Sequence, residues 1–585
     1  MINKRIERIV DLITISKNIT KDYGLVYFLK IATSEIKEYK LDVLKPNEQK
    51  KIISKLDQDH INYNNWIIEQ KNQFKKLSVI KNDDMNNFAI IISIENHNMH
   101  LLENTLKSIE IQKIQNLNIF LQNSNQEEKI RNLIDEKVRK YNLKLFKTKL
   151  KDHFEYIVFV SSGDQFIESS FFDIQNAIKK KPNAEIIYFD EDENSELGRI
   201  NPYFKPDWSP ELFLSMDYIS NSYIIKNTIN TEIIFEEINF KKNWKFEILL
   251  KLIDKSIEII HIDTIVISIN TINLKQKNVK KNYEKGLEEK FLDKKNIDAK
   301  ITIDNKGLIK INYKLKNYPK VSIVIPTKNN RKILERCLKS IKKNNYNNYE
   351  IIIIDNNSDD EKTIAYLNKL PFKIIKFKKH FNFAAMNNLA VKETSGEYIL
   401  FMNDDVAALD KEWLSEMVSI CQLENIGIVG PKLVLKNNKL QHAGIALLEN
   451  GAGFHPMMGG DSYSALNHVY ANTMKNCVAV TGACLLIKKN LFEKVNGFDE
   501  IFDLYYNDVD LCLKIQKLGF KVAYTPYVKL LHEGSKTIKQ QTANTGFYAV
   551  ENHQSFYEKW KNNEKLDPYY NKNLGYNFKI RSYKN

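Results

Sequence analysis

Two stretches of the chain repeat one pattern of apolar and polar positions. In FAIIISIENHNMHLLENTLKSI, residues 88–109, an unbroken apolar run gives way to a polar loop and then to apolar residues at helical spacing. VSIVIPTKNNRKILERCLKSI, residues 321–341, does the same, and Leu102, Leu106, Ser108 and Ile109 recur as Leu334, Leu338, Ser340 and Ile341 at one constant offset. Each half continues into a second apolar run, NLNIFLQNSN in one and YEIIIIDNNSDD in the other. A period this long is a tandem duplication of a domain, not a short solenoid repeat.

In the second half, apolar runs at 321–325, 350–354, 372–377, 398–402 and 426–430 read as strands, and helical spacing appears near 331–343, 384–394, 411–423 and 508–518. Strands such as IIII at 351–354, apolar at every position, and VSIVI, apolar but for Ser322, predict burial on both faces, as in a parallel sheet with helices on each side. Such sheets bind ligands beyond the carboxyl ends of their strands. That rule gathers Pro326, Thr327, Asp355, Asp404 and Asp405 at one rim. The expected units are a helical region over 1–82, a domain over 83–271, a linker with one helix over 272–317, and a domain with a helical tail over 318–585. In the first of these, Ile6, Val10 and Ile13 share one helical face. It is expected to pack on a neighbouring domain, with peripheral membrane contact as the alternative.

Charge and composition narrow the classes. Lys and Arg number 87 against 73 Asp and Glu, a formal net charge of +14, but the excess is dispersed and no like-charged block marks a nucleic-acid-binding tail. No nucleic-acid partner is expected. Five cysteines, an odd number without a CxxC pair, predict reduced thiols in a cytoplasmic protein. No apolar run reaches the roughly 18 residues of a membrane-crossing helix, and the first residues do not read as a signal peptide.

The candidate chemistry lies at run ends. Asp355 closes IIII, where a carboxylate serves either a nucleotide or the cap of the next helix. Asn403-Asp404-Asp405 closes YILFM; adjacent carboxylates suit a hard divalent cation bridged to a diphosphate, and equally a turn. Asn507-Asp508 opens a helix that Leu511, Ile515 and Leu518 pin to the core and Gly519 ends. A carboxylate there is kept ionised by the helix dipole and can act as a base, or it simply caps. His532 follows a later strand, where it is either structural or a further metal ligand.

These residues stand within a longer set of motifs. VSIVIPTKNN, YEIIIIDNNSDD, FNFAAMNNLAV, SGEYILFMNDDV, IGIVGPKLV, LQHAGIAL, AVTGACLLI, NGFDEIFDLYYNDVDLCLKI and LLHEGSKT occur in order. Through them residues 319–540 resemble a family 2 glycosyltransferase domain of the GT-A fold. The whole chain resembles the tandem two-domain members of that family, which act on rhamnan, galactan, O-antigen and related surface polysaccharides. The resemblance implies an α/β architecture of two GT-A-like, Rossmann-like domains in tandem, preceded by the helical region.

It also implies roles. Pro326, Thr327 and Asp355 hold the nucleoside, and Asn387 and Asn388 line the nucleotide pocket. Asn403 fills the first position of the DxD slot, Asp404 is a donor-side contact, and Asp405 with His532 holds Mn²⁺ or Mg²⁺. Thr481, Gly482 and Ala483 flank the donor sugar. Asp508 is the base. Gln441, His442, Asn507 and the glycine-rich loop 451–461 shape the acceptor side. The expected partners are a UDP-, dTDP- or GDP-sugar and a lipid-linked glycan, met in the cytoplasm or at the inner face of its membrane. The expected reaction is a single displacement with inversion.

The first half keeps SSGDQF at 161–166 and IIYFDEDE at 186–193. Gln122 stands at the nucleoside carboxylate slot, and Lys245 and Glu247 lie where the counterpart of Asp508 belongs. A non-catalytic first domain is expected, with a bifunctional two-site enzyme as the alternative that DEDE supports. A catalytically dead nucleotide-sugar-binding scaffold would have lost the base and metal ligand that the second half keeps. A pyrophosphorylase would need a glycine-rich phosphate loop where PTKNN stands.

Overall fold

The computed structural model describes residues 62–74, 87–94, 99–114, 117–122, 141, 143–146, 154–195, 198–219, 222–238, 240, 243–255, 257–270, 281–304, 308–462, 468–534 and 550–581. Ile6, Val10 and Ile13 lie outside them. Among the described residues no helix is long and apolar enough to cross a membrane. All five cysteines are buried and unbridged.

The first half forms β1 (Phe88–Ser93), β2 (Asn118–Gln122), β3 (Lys144–Leu145), β4 (Tyr156–Ser161), β5 (Gln165–Phe166), β6 (Ile186–Ser195), β7 (Gly198–Tyr203), β8 (Tyr223–Lys226) and β9 (Ile259–Asn270). A ribbon of β10 (Ala299–Ile303) and β11 (Ile309–Tyr313) follows. The second half forms β12 (Val321–Thr327), β13 (Tyr349–Asp355), β14 (Lys373–Lys376), β15 (Tyr398–Met402), β16 (Val406–Ala408), β17 (Ile426–Val434) and β18 (Leu440–His442). It continues with β19 (Ala446–Leu447), β20 (Gly453–Phe454), β21 (Lys475–Asn476), β22 (Cys484–Lys488) and β23 (Lys521–His532).

The two large sheets share one strand order. The first runs β3-β2-β1-β4-β8-β6-β9-β5 with β7 beside β6; the second runs β14-β13-β12-β15-β22-β17-β23-β16 with β18 beside β17. Both are mixed, not parallel as the apolar runs suggested. β22 enters antiparallel between β15 and β17, and β8 does the same between β4 and β6. Burial on both faces requires only helices on both faces, and antiparallel strands meet that condition equally.

The faces follow from the alternation of side chains along a strand. Val321, Ile323, Ile325, Ile351 and Ile353 enter one core layer with Leu334, Cys337, Leu338 and Ile341, the helical stripe of Arg331–Ile341. Val324, Ile352 and Ile354 enter the other, with Ala384, Met386 and Ala390 of the helix Phe383–Val391 and with Leu511 and Ile515 of the helix Asn507–Lys517. The ribbon is no loose connector, since Ile301, Ile309 and Ile311 join the first of these layers.

The halves meet along a polar seam. Asn571, in the segment after the helix at 550–560, donates from Nδ2 to Asp190 Oδ2 (2.9 Å) and to the carbonyl of Lys205 (3.0 Å). Lys565 pairs with Asp207 (2.9 Å), Lys572 with Asp263 (2.8 Å), and Ser209 Oγ bonds Asn476 Oδ1 (2.9 Å). His261 bridges Asp190 (2.8 Å) and Asp207 (2.9 Å). Tyr63 and Trp66 of the helix at 62–74 pack with Phe204, Ile265, Ala446 and Tyr570 at the same junction. Asp190, Glu191 and Asp192 of the acidic DEDE run are therefore buried on a strand of this seam. Beside Asp190, Glu191 takes the Lys205 ammonium (2.9 Å) and Asp192 pairs with Arg199 (2.5 Å).

Candidate functional site

Register gathers the carboxylates. Thr327 and Asp355 are paired across β12 and β13, so both strands end level. β15 ends beside them at Met402, paired with Cys484 at the start of β22. The antiparallel entry of β22 thus places the turn Thr481–Ala483 beside Asn403–Asp405, and Asn403 N–H donates to the Ala483 carbonyl (2.9 Å). β16 brings in β23, pairing Val406 with His532.

Within this rim Asp404 and Asp405 divide. Asp404 Oδ2 accepts from Thr327 Oγ1 (2.7 Å) and from Asn330 Nδ2 (3.4 Å). Asn330 stands just before the helix Arg331–Ile341, and its side chain makes no cap bond to that helix. Burial pushes the Asp404 carboxyl up to about 6; the adjacent Asp405 charge adds to this, while Thr327, Asn330 and His532 oppose it. Asp405 Oδ1 lies 3.1 Å from His532 Nε2. The angles there are not those of a hydrogen bond, and both His532 ring nitrogens are buried without a hydrogen-bond partner among the described residues. A carboxylate oxygen and an unbonded imidazole nitrogen at this distance have the spacing of two ligands on one divalent cation. Asp355 Oδ1 accepts the Ser358 N–H (3.0 Å), which fixes it at the rim.

Asp508 lies across this rim, at the second residue of the helix Asn507–Lys517. Its Oδ2 accepts the Gly482 N–H and its Oδ1 the Val509 N–H, both at 2.9 Å. Burial raises its proton affinity; these amides and the Thr481 hydroxyl oppose the rise. Tyr506 enters the helix with φ of +63°, a conformation that costs about 1 kcal/mol or more for a bulky residue. Stacking on Phe556 holds it there, with ring centroids 4.5 Å apart.

Four expected residues have hydrogen-bond partners within the chain. Asn388 donates to the Phe498 carbonyl (2.9 Å) and accepts the Phe498 N–H (2.9 Å), anchoring the segment before Asp508. Asn387 is buried, with its Nδ2 on the Phe383 carbonyl (2.8 Å). Asn507 is buried, with its Nδ2 on the Leu504 carbonyl (2.9 Å). His442 is buried as well: its Nδ1 meets His455 Nδ1 at 2.9 Å, and its Nε2 accepts the Gly444 N–H (3.3 Å) and the Thr481 N–H (3.5 Å). Gln441 keeps its Oε1 buried with no partner among the described residues. Pro326 sits on β12 one residue before Thr327. Asn330, His455 and Tyr506 were not assigned roles from the sequence, although each adjoins or lies within a motif that was.

The corresponding place in the first half differs. Lys245 is the second residue of the helix Trp244–Ile253, entered through Asn243 at φ of +46°, as Asp508 is entered through Tyr506. Its ammonium reaches Ser161 Oγ (3.2 Å). Asp164 accepts the N–H groups of Ser161 and Asn270, both at 3.0 Å, and Asn270 ends β9 as His532 ends β23. Gln122 is registered opposite Ser93, the counterpart of Ile325 and so two positions short of the level that Thr327 and Asp355 take, and residue 123 lies outside the described residues.

Residues 322–495 match the family model described as Glycosyl transferase family 2. The matched segment is a glycosyltransferase domain. It carries the rim of β12, β13, β15 and β22, while Asp508 and His532 lie just beyond it. Over 72% of this chain the sequence is 28% identical to an uncharacterized protein, y4gI, of Sinorhizobium fredii, covering 48% of that protein. It is also 28% identical over 72% of the chain to the O-antigen biosynthesis protein RfbC of Myxococcus xanthus, covering 34% of it. A shorter stretch, 15% of this chain and 30% of the relative, is 33% identical to the GalNAc(5)-diNAcBac-PP-undecaprenol beta-1,3-glucosyltransferase of Campylobacter jejuni. The chain thus spans half or less of the length of these relatives.

Proposed function

We propose that the chain is an inverting glycosyltransferase built of two GT-A-like domains. The second would move a sugar from a nucleotide-sugar donor to a growing, lipid-linked surface glycan. The observation that carries this reading is the convergence of Asp404, Asp405 and His532 with Asp508 at one sheet rim. Asp405 and His532 would hold Mn²⁺ or Mg²⁺. When bound there, such a cation neutralises charge that grows on the departing diphosphate. Thr327 and Asp355 face the nucleoside, and Asp404 the donor. Asp508 takes the proton from an acceptor hydroxyl. The freed oxygen bonds to the anomeric carbon as the bond from that carbon to the diphosphate breaks, so the nucleoside diphosphate leaves and the configuration inverts. The glycan class rests on the relatives named for O-antigen biosynthesis and for a PP-undecaprenol glycan.

The first domain is read as silent. Lys245 cannot serve as a carboxylate base, and Asp164 is bound to two backbone amides.

The test is incubation of the protein with Mn²⁺ and a panel of UDP-, dTDP- and GDP-sugars, following nucleotide release. Asp508→Asn should lower release by about 10²–10⁴-fold while the donor still binds. If no donor turns over, or if Asp508→Asn matches the parent, the reading fails.

A further inference from the structure

The glycine-rich loop 451–461 touches both backbone elements that hold Asp508. At one end, Gly453 N–H donates to Tyr506 Oη (3.3 Å), and that hydroxyl donates to the Gly451 carbonyl (3.3 Å). Tyr506 is the residue through which the chain enters the helix of Asp508. Further along the loop, His455 meets His442, which holds the turn whose Gly482 N–H reaches Asp508.

Hydrogen-bond roles along this path follow by elimination. Backbone N–H groups of Gly444 and Thr481 both point at His442 Nε2, so that nitrogen accepts and carries no proton. Neutral imidazole then bears its proton on Nδ1 and donates it to His455 Nδ1 across 2.9 Å. His455 in turn carries its proton on Nε2, on a half-buried residue of the loop. The pair is neutral: burial lowers the proton affinity of both rings, most of all that of His442, and His455 falls to about 4. The groups around them are of one sign. Lys475 and His532 face His442, His532 faces His455, and the edge of Tyr524 lies against His442.

We propose that His455, acting through His442, is a positioning residue for Asp508, setting the turn at Thr481–Gly482 according to where the loop 451–461 lies. This rests on Asp508 as the base. The loop then reports the bound acceptor: a sugar hydroxyl accepting from His455 Nε2 fixes the ring, His442 is fixed behind it, and the Gly482 N–H is held on the carboxylate. Asp508 itself receives the Gly482 and Val509 amides and the Thr481 hydroxyl, and Cys512 lies one helical turn on.

The consequence has a sign. The Gly482 N–H lowers the proton affinity of Asp508, so loosening the turn raises it. His455→Ala removes the acceptor for His442, whereas His455→Asn keeps one, its Oδ1 standing where Nδ1 stood. The carboxyl of Asp508 is titrated by NMR in the parent and both variants, and the acid limb of kcat is measured in parallel. His455→Ala should move both to higher pH and lower kcat at least about tenfold with donor KM little changed. His455→Asn should restore most of each. An unmoved Asp508 titration in His455→Ala, or a loss in His455→Asn equal to that in His455→Ala, overturns the inference. The NMR titration reads the coupling whether or not a given donor turns over, so it separates this inference from the assignment of the reaction.

Discussion

Asp508 is held between opposing influences. Burial favours its protonated form, and two N–H groups at 2.9 Å favour the carboxylate. The balance leaves its proton affinity raised, and a base must be deprotonated to act. The rate should therefore fall as pH drops through a value above the ordinary carboxylate range near 4, and a pH–rate profile of kcat checks this. An acid limb at or below about 4 would contradict it. At this scale the sequence showed which residues matter better than where they point. The positions of Asp404, Asp405 and Asp508 were legible because the apolar runs that precede or follow them mark the end of a strand and the start of a helix, where the structure places them. The bonds of Asn388, His442 and Asn507 were not, because an amide or imidazole serves backbone or ligand equally, and only packing decides which.

Among elements, β22 governs the site. Its antiparallel course brings Thr481–Ala483 to the rim, and the approach of β17 keeps it there. Gly430 on β17 passes so close to Val480 that an added Cβ would lie 2.4 Å from the Val480 Cβ. Gly430→Ala should cost about 1–3 kcal/mol of stability, read as a lower thermal midpoint, and should weaken transfer by displacing the turn that follows Val480. Unchanged stability would mean that the turn tolerates more movement than its contacts suggest. The strands of the βα repeats were legible because runs apolar at every position suit a sheet covered on both faces. The course of β22 was not: CLLIK is as apolar as a parallel strand, and its direction follows from the connections on either side.

Across the whole molecule the seam makes the two halves one body. Asn571→Leu would leave Asp190 Oδ2 without its amide donor, costing about 1–3 kcal/mol, and urea unfolding should show the loss. His261 adds a pH dependence. Although its burial favours the neutral ring, Asp190 and Asp207 outweigh this and raise its proton affinity. Its contribution is full below the unfolded value near 6.5 and is lost as pH rises through the higher folded value. The thermal midpoint should fall on the alkaline side, and His261→Phe should flatten that fall. Sequence repetition marked the two halves, but the seam was hidden, since its partners lie hundreds of residues apart and DEDE alone reads as a surface turn.

Residues 563–581 fasten the seam and also touch the loop beside Asp508, where Met457 N–H donates to Asn577 Oδ1 (3.0 Å) and Phe454 packs on Tyr570. Synthesis proceeds from the amino end, and domains generally fold as they emerge. Both sheets are therefore complete before this strap leaves the ribosome, and until then they are joined only by seam contacts outside it, such as Ser209 with Asn476. The loop over Asp508 receives these last contacts only when residue 577 is free, so the nascent chain holds a folded sheet before it holds a finished site.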